Sequence, residues 1–132
     1  MSAFQLEKHG HLAVLTLNSA EKRNLLTPNS ALAIAEAVQQ LPHDPQIKAL
    51  AVTGRDDSFC SGADLASLQQ AAIGDGEELQ QIYSAFTSVA HSPLLTIALI
   101  NGPALGAGMN LAMACDIRLA SEQAWFESRF FQ

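Results

Sequence analysis

Residues 100–115 read Ile-Asn-Gly-Pro-Ala-Leu-Gly-Ala-Gly-Met-Asn-Leu-Ala-Met-Ala-Cys, and their reading decides the fold. Upstream, Leu94 to Ile100 is an apolar run of strand character. Downstream, Ala, Met and Leu dominate a segment that reads as a buried helix. Between the two lies a turn of glycine and proline. Strand, glycine turn, helix is an order that leaves backbone N–H groups free at a helix N-terminus, where they can hold a negative oxygen. The turn therefore reads as half of an active site. The other half is Phe59–Leu65, Phe-Cys-Ser-Gly-Ala-Asp-Leu.

Working outward, Phe4 to Lys8 and Leu12 to Leu17 are strand-like runs on either side of His9-Gly10-His11, which predicts a hairpin. The second run is apolar on both faces and belongs inside a sheet. His9 and His11 have no third ligand nearby and read as solvated turn residues. Thr27-Pro28 predicts an N-cap followed by Pro at the first helical position. Ala31, Ile34, Ala35, Val38 and Leu41 then repeat at helical spacing, up to Pro42. Lys48 to Thr53 is a buried strand, so strand, helix, strand forms a βαβ unit and the sheet is mostly parallel. Residues 69–76 read as a polar surface segment. A second amphipathic helix starts at Glu77, with Leu79, Ile82, Tyr83, Phe86 and Val89 on one face, and ends at His91-Ser92-Pro93. Asp116 to Ala120 and Ala124 to Phe126 are the last strand candidates. Trp125 and three of the six Phe fall in the final eight residues. Such an aromatic end is expected to pack into the core, against a neighbour, or against further protein.

At 132 residues the chain amounts to one domain. With 48% hydrophobic residues but only 6% aromatic, its core must be aliphatic. Seven Lys+Arg against thirteen Asp+Glu give a net charge of -6, which argues against nucleic acid as a partner. A small phosphate-bearing ligand needs only local cations, and Lys22-Arg23 is the one adjacent basic pair. In the absence of a ligand, that pair is a solvated loop. Cys60 and Cys115 form no CxxC motif and read as buried, reduced thiols, with no metal site. There is no signal-like N-terminus and no apolar run long enough to enter a membrane, so a soluble cytoplasmic protein is expected.

The turns at Ser61–Asp64 and Gly106–Gly108 both carry small residues, which let backbone approach a ligand closely. If the N–H groups of Ala63 and Ala107 converged on one oxygen, they would form an oxyanion hole. Spacing alone favours two structural turns, with Asp64 as a cap or first-turn acid, because paired glycine turns are common. Other motifs fail: Gly102, Gly106 and Gly108 do not match a dinucleotide-binding pattern, no Walker lysine comes after them, and Ser61 is not in a nucleophile elbow.

Four segments together resemble the crotonase superfamily, the enoyl-CoA hydratases and isomerases. They are Asn-Ser-Ala-Glu-Lys-Arg-Asn-Leu-Leu-Thr at 18–27, Phe-Cys-Ser-Gly-Ala-Asp-Leu at 59–65, Asn-Gly-Pro-Ala-Leu-Gly-Ala-Gly at 101–108, and Leu-Ala-Met-Ala-Cys-Asp-Ile-Arg-Leu-Ala at 111–120. Their order and separations agree as well. The resemblance covers nearly the whole chain but only the N-terminal half of the usual family domain. It implies an α/β fold of ββα-type repeats, as in ClpP and crotonase, with a mostly parallel sheet flanked by helices and without the usual C-terminal helical part. Residues 1–132 would be one such truncated domain.

The resemblance further implies roles. Oxyanion donors fall on the N–H groups of Ala63 and Ala107. Contacts to coenzyme A fall on Ala63, Asp64, Leu65 and Ala66, with Lys22 and Arg23 near its phosphates or adenine. The substrate would be a fatty acyl-CoA thioester, with coenzyme A arriving as part of it and no permanently bound cofactor. A homo-oligomer, trimer or hexamer in the family, is implied as partner. The family's hydratases use two glutamates. The first falls on Asn110, whose amide cannot act as a base near neutral pH. The second falls on Phe130, which leaves Glu127 as a shifted acid or as an exposed strand carboxylate. Isomerisation or other enolate chemistry is thereby favoured over hydration. The alternative is a non-catalytic or truncated acyl-CoA-binding relative.

Overall fold

The computed structural model of the chain describes residues 3–63 and 76–128. Strands β1 (Phe4–His9) and β2 (Leu12–Leu17) form the expected hairpin, antiparallel and turning at Gly10, where φ is +62°. Glycine takes that left-handed turn without steric cost. Helix α1 (Pro28–Gln40) comes next, then a 3-10 turn at Leu41–His43 and strand β3 (Ala49–Gly54). Helix α2 (Glu77–Ala90) leads to β4 (Leu95–Ile100). Then come the short strand β5 (Pro103–Leu105), helix α3 (Ala107–Ala114), β6 (Ile117–Ala120) and β7 (Trp125–Glu127).

The main sheet runs β1-β2-β3-β4-β6, with every pair parallel except the hairpin. A second, two-stranded sheet pairs β5 with β7. The α/β class and the mostly parallel sheet are thus as the sequence predicts. Strand β2 lies between β1 and β3, as its two-sided apolar run requires.

Register explains the core. Ala13, Leu15 and Leu17 align with Leu50, Val52 and Gly54, and Leu50 and Val52 in turn with Thr96 and Ala98 on β4. All are buried, and Ala31, Ile34, Ala35 and Val38 of α1 with Ile82, Ala85 and Val89 of α2 complete the same core. The opposite face carries Leu95, Ile117 and Leu119, which are exposed. Thr27 caps α1: its side chain accepts from the Ser30 N–H, and Ser30 Oγ accepts from the Thr27 N–H.

Three readings of the sequence need correction. Helix α3 is not buried all round: Gly108, Leu111 and Ala112 face inward, but Met113 is 59% exposed. Ala, Met and Leu signal helix propensity as well as burial, and an eight-residue helix at the rim of a core needs only one apolar face. Residues 103–105, read as part of a turn, form a strand, because β7 supplies a partner from far along the chain. The last strand lies at Trp125–Glu127 rather than 124–126, with Trp125 and Phe126 both nearly half exposed. The remaining end of the aromatic tail, 129–132, lies outside the described residues, as does the expected surface segment 69–75. Among the described residues, no helix is long and apolar enough to cross a membrane.

Candidate active site

The segment 59–63 leaves β3 through a turn at 54–58 and runs between two backbones. On one side, Ser61 N–H donates to the Arg23 carbonyl at 3.0 Å, and Leu26 N–H donates to the Gly62 carbonyl at 2.7 Å. On the other side, the N–H groups of Phe59 and Cys60 both reach the Pro103 carbonyl, at 3.1 and 3.2 Å, and Leu105 N–H returns to the Cys60 carbonyl at 2.9 Å. The two glycine turns singled out in the sequence are therefore stitched together through β5.

The glycines make this approach possible. A Cβ on Gly102 would fall 1.9 Å from the Asp57 carbonyl oxygen, and one on Gly108 would fall 2.0 Å from that of Cys60. No side chain fits at either position. Gly62 has φ +112° and Gly106 has φ +55°, backbone that L residues rarely adopt. A Cβ on Gly62 would stand 3.7 Å from the Ala107 nitrogen, so the first turn passes directly beside the start of α3.

Gly106 is the N-cap of α3 and has no side chain to cap with. Its carbonyl accepts from the N–H groups of Met109 and Asn110, and its own N–H donates to the Glu127 carbonyl at 2.7 Å. Among the described residues, the N–H of Ala107 has no acceptor, nor does that of Ala63. Ala63 itself pairs with Leu26 as a parallel bridge, which uses the flanking peptide and leaves its own N–H out of the ladder.

The structure also places the other predicted residues. Asn110 lies one turn into α3, half-buried, and its side-chain amide makes no hydrogen bond among the described residues. Glu127 is half-buried on β7, in register with Leu105 and bound to Gly106 through its backbone. Lys22 and Arg23 are exposed, but their carbonyls hold Ser61, Lys22 through Ser61 Oγ at 3.3 Å and Arg23 through the N–H. Ala63, Ala107, Asn110, Glu127, Lys22 and Arg23 are thus all carried on backbones that touch one another's neighbours. Asp64, Leu65, Ala66 and Phe130 lie outside the described residues.

Cys60 sits in the middle of this arrangement, fully buried, and burial pushes its thiol up to about 12. Burial likewise raises Cys115, to about 11. Both are protonated at neutral pH, and neither is a nucleophile there.

Sequence reasoning missed two asparagines and a cleft. Asn24, 1% exposed, and Asn101 both donate to the Ser58 carbonyl, at 2.9 and 3.1 Å. The one sequence signal was an Asn beside a Gly-Pro turn and another in a polar loop, which is common at turns of every kind. An open cleft of about 910 Å³ is lined by Arg23, Asp57, Pro103, Leu105 and Trp125 among others, but by neither Ala63 nor Ala107. Nothing in the local sequence points to it.

Known proteins resemble this chain over nearly all of its length. The family model for enoyl-CoA hydratase/isomerase matches residues 7–132. The chain is 42% identical over 122 residues to the probable enoyl-CoA hydratase EchA14 of Mycobacterium tuberculosis, covering 91% of this chain and 47% of that one. It is 37% identical over 123 residues to the crotonyl-CoA hydratase of Syntrophomonas wolfei, covering 92% and 47%. The structure of an enoyl-CoA hydratase from Polaromonas superposes with a TM-score of 0.84 at 31% identity, over 93% of this chain and 49% of that one. The chain thus spans about half the length of the curated relatives it matches. On the family-model match over residues 7–132 and these identities, this chain belongs to the enoyl-CoA hydratase/isomerase family.

Proposed function

We propose that this chain binds a fatty acyl-CoA thioester and polarises its carbonyl between the N–H groups of Ala63 and Ala107. The observation that carries this is the meeting of two glycine turns beside the start of α3, with both N–H groups lacking an acceptor among the described residues. An oxygen held by both gains charge, and the positive end of α3 adds to the effect. A thioester polarised in this way loses a proton more readily from the carbon next to the carbonyl, giving an enolate.

Asn110 bears on which reaction the polarised thioester undergoes. It can orient a water or a carbonyl through hydrogen bonds, but it cannot take up a proton, so hydration is disfavoured. Isomerase-type chemistry needs one group to remove a proton beside the carbonyl of a 3-enoyl thioester and return it two carbons further on, leaving a 2-enoyl thioester. Glu127, whose backbone carbonyl accepts from the Gly106 N–H, would be the acid/base for that transfer. Lys22 and Arg23, with Ala63, Asp64, Leu65 and Ala66, would meet coenzyme A, which arrives with the substrate rather than as a resident cofactor. A homo-oligomer would provide neighbours for the aromatic residues of β7.

Purified protein incubated with a panel of 2-enoyl- and 3-enoyl-CoA esters tests this. Conversion of the 3-enoyl esters without hydration of the 2-enoyl esters is expected. No turnover on any ester defeats the enzymatic part. The amide of Asn110, where a base would stand, also fits a binding protein without catalysis. Calorimetric binding of an acyl-CoA with no turnover supports that second reading.

A further inference from the structure

Asn24 and Asn101 hold one carbonyl from two directions. Asn24 is buried, with φ +58°, in the loop that carries Lys22 and Arg23. Its Oδ1 accepts from the Ser19 N–H at 3.0 Å, and its Nδ2 donates to the carbonyls of Arg55 and Ser58, at 3.1 and 2.9 Å. Asn101 opens the segment that leads to Ala107. Its Oδ1 accepts from the Gly54 N–H at 3.2 Å, and its Nδ2 faces the carbonyls of Gly54, Asp56 and Ser58, at 2.8, 2.9 and 3.1 Å. An amide has two hydrogens, so the three acceptors share them.

The turn at 55–58 follows the end of β3, and the carbonyls of Arg55, Asp56 and Ser58 accept from these side chains. A buried carbonyl left without a donor is costly, so the Ser58 carbonyl needs these amides. There is no slack either: a Cβ on Gly54 would lie 2.1 Å from the Ser58 oxygen and 2.8 Å from Asn24 Nδ2. Ser58 immediately precedes the segment that ends at Ala63, and Asn101 precedes the one that ends at Ala107.

We infer that Asn24 and Asn101 are positioning residues that set the separation of the Ala63 and Ala107 N–H groups by gripping the Ser58 carbonyl together. The inference rests on the thioester reading of the preceding subsection. Donors must sit about 2.7–3.1 Å from the oxygen they stabilise, so drift of a few tenths of an ångström between the two segments weakens polarisation before it unfolds the chain.

The test uses an acyl-CoA labelled with carbon-13 at the thioester carbonyl, bound to the full chain and monitored by infrared difference spectroscopy. Polarisation lowers the carbonyl stretching frequency. The variants are Asn101→Ala and Asn24→Gly. Glycine keeps the left-handed backbone at 24, and Asn101 still supplies one donor to the Ser58 carbonyl, so the second variant folds with a looser grip and decides the matter if the first does not fold. Thermal melts establish that each variant is folded. The wild type is expected to lower the frequency on binding, and the folded variants to bind the ester with the shift reduced by about half or more. A folded variant that melts earlier yet keeps the full shift overturns the inference and leaves these asparagines a purely structural role. A wild type that binds without any shift overturns the thioester reading itself, which separates the two failures.

Discussion

Ala107 acts, on the proposed function, through its backbone N–H, so an ordinary side-chain substitution would not reveal it. Proline removes that N–H, and at the first position of a helix its fixed φ is well tolerated. Ala107→Pro is therefore expected to leave the melting temperature within a few degrees of wild type. Turnover of an enoyl-CoA should fall by about 10²–10³-fold, the loss seen when one oxyanion donor goes. Unchanged turnover in a folded variant counts against Ala107 as a donor. Cys60 makes a second prediction at this scale. Its thiol, buried behind the first turn, ionises near 12 instead of the ordinary 9.0. Between those values the unfolded chain binds fewer protons than the folded one, so stability falls as pH rises. The contribution is fully present below pH 9.0 and lost on the way to about 12. Urea denaturation at stepped alkaline pH should show a shallower decline for Cys60→Ala than for wild type; equal slopes would refute the buried-thiol account.

At the scale of elements, α1 shows how a short sequence signal becomes structure. Thr27, Pro28 and Ser30 start the helix, and the reciprocal Thr27–Ser30 bonds satisfy N–H groups that the helix cannot. Thr27→Ala is expected to lower stability by about 1 kcal/mol in urea denaturation, with an unchanged m-value. No loss would mean that the packing of α1 on α2 sets the helix start by itself. The end of α3 is secured differently. Asp116 accepts from the backbone and hydroxyl of Thr96 at 2.9 and 3.2 Å, and Arg118 donates to the Cys115 carbonyl at 2.7 Å. Thr96 is 1% exposed, a polar residue on the core face of β4 that is tolerated because Asp116 pairs it. These contacts turn the chain from α3 back into β6, alongside β4.

For the whole molecule, one face of the main sheet is covered by α1 and α2, while the other presents Leu95, Ile117 and Leu119 at 45, 42 and 57% exposure. Contiguous exposed apolar side chains of this kind bind apolar dyes. An anilinonaphthalene sulfonate dye should fluoresce with the wild-type chain, and less with Leu119→Lys. The melting temperature should barely move, because a side chain already more than half exposed contributes little to the core. Equal fluorescence in the variant would place the dye elsewhere, with the cleft beside Trp125 the next location to test.

The amino-acid sequence by itself determined the kinds of element and most of their limits. Period-2 and helical spacing are local, and so are the Thr27-Pro28 start and the Gly10 turn; each segment carries its own signal. The family was legible for the same reason, in four short segments with correct separations. Only the tertiary structure decided that the two glycine turns meet. Asn101 and Ser58 are 43 positions apart, and no local pattern records their contact. The same holds for β5, three residues beginning with proline that become a strand only because β7 lies alongside. It also holds for Gly102 and Gly108, whose lack of a side chain matters only because the carbonyls of Asp57 and Cys60 arrive from elsewhere in the chain.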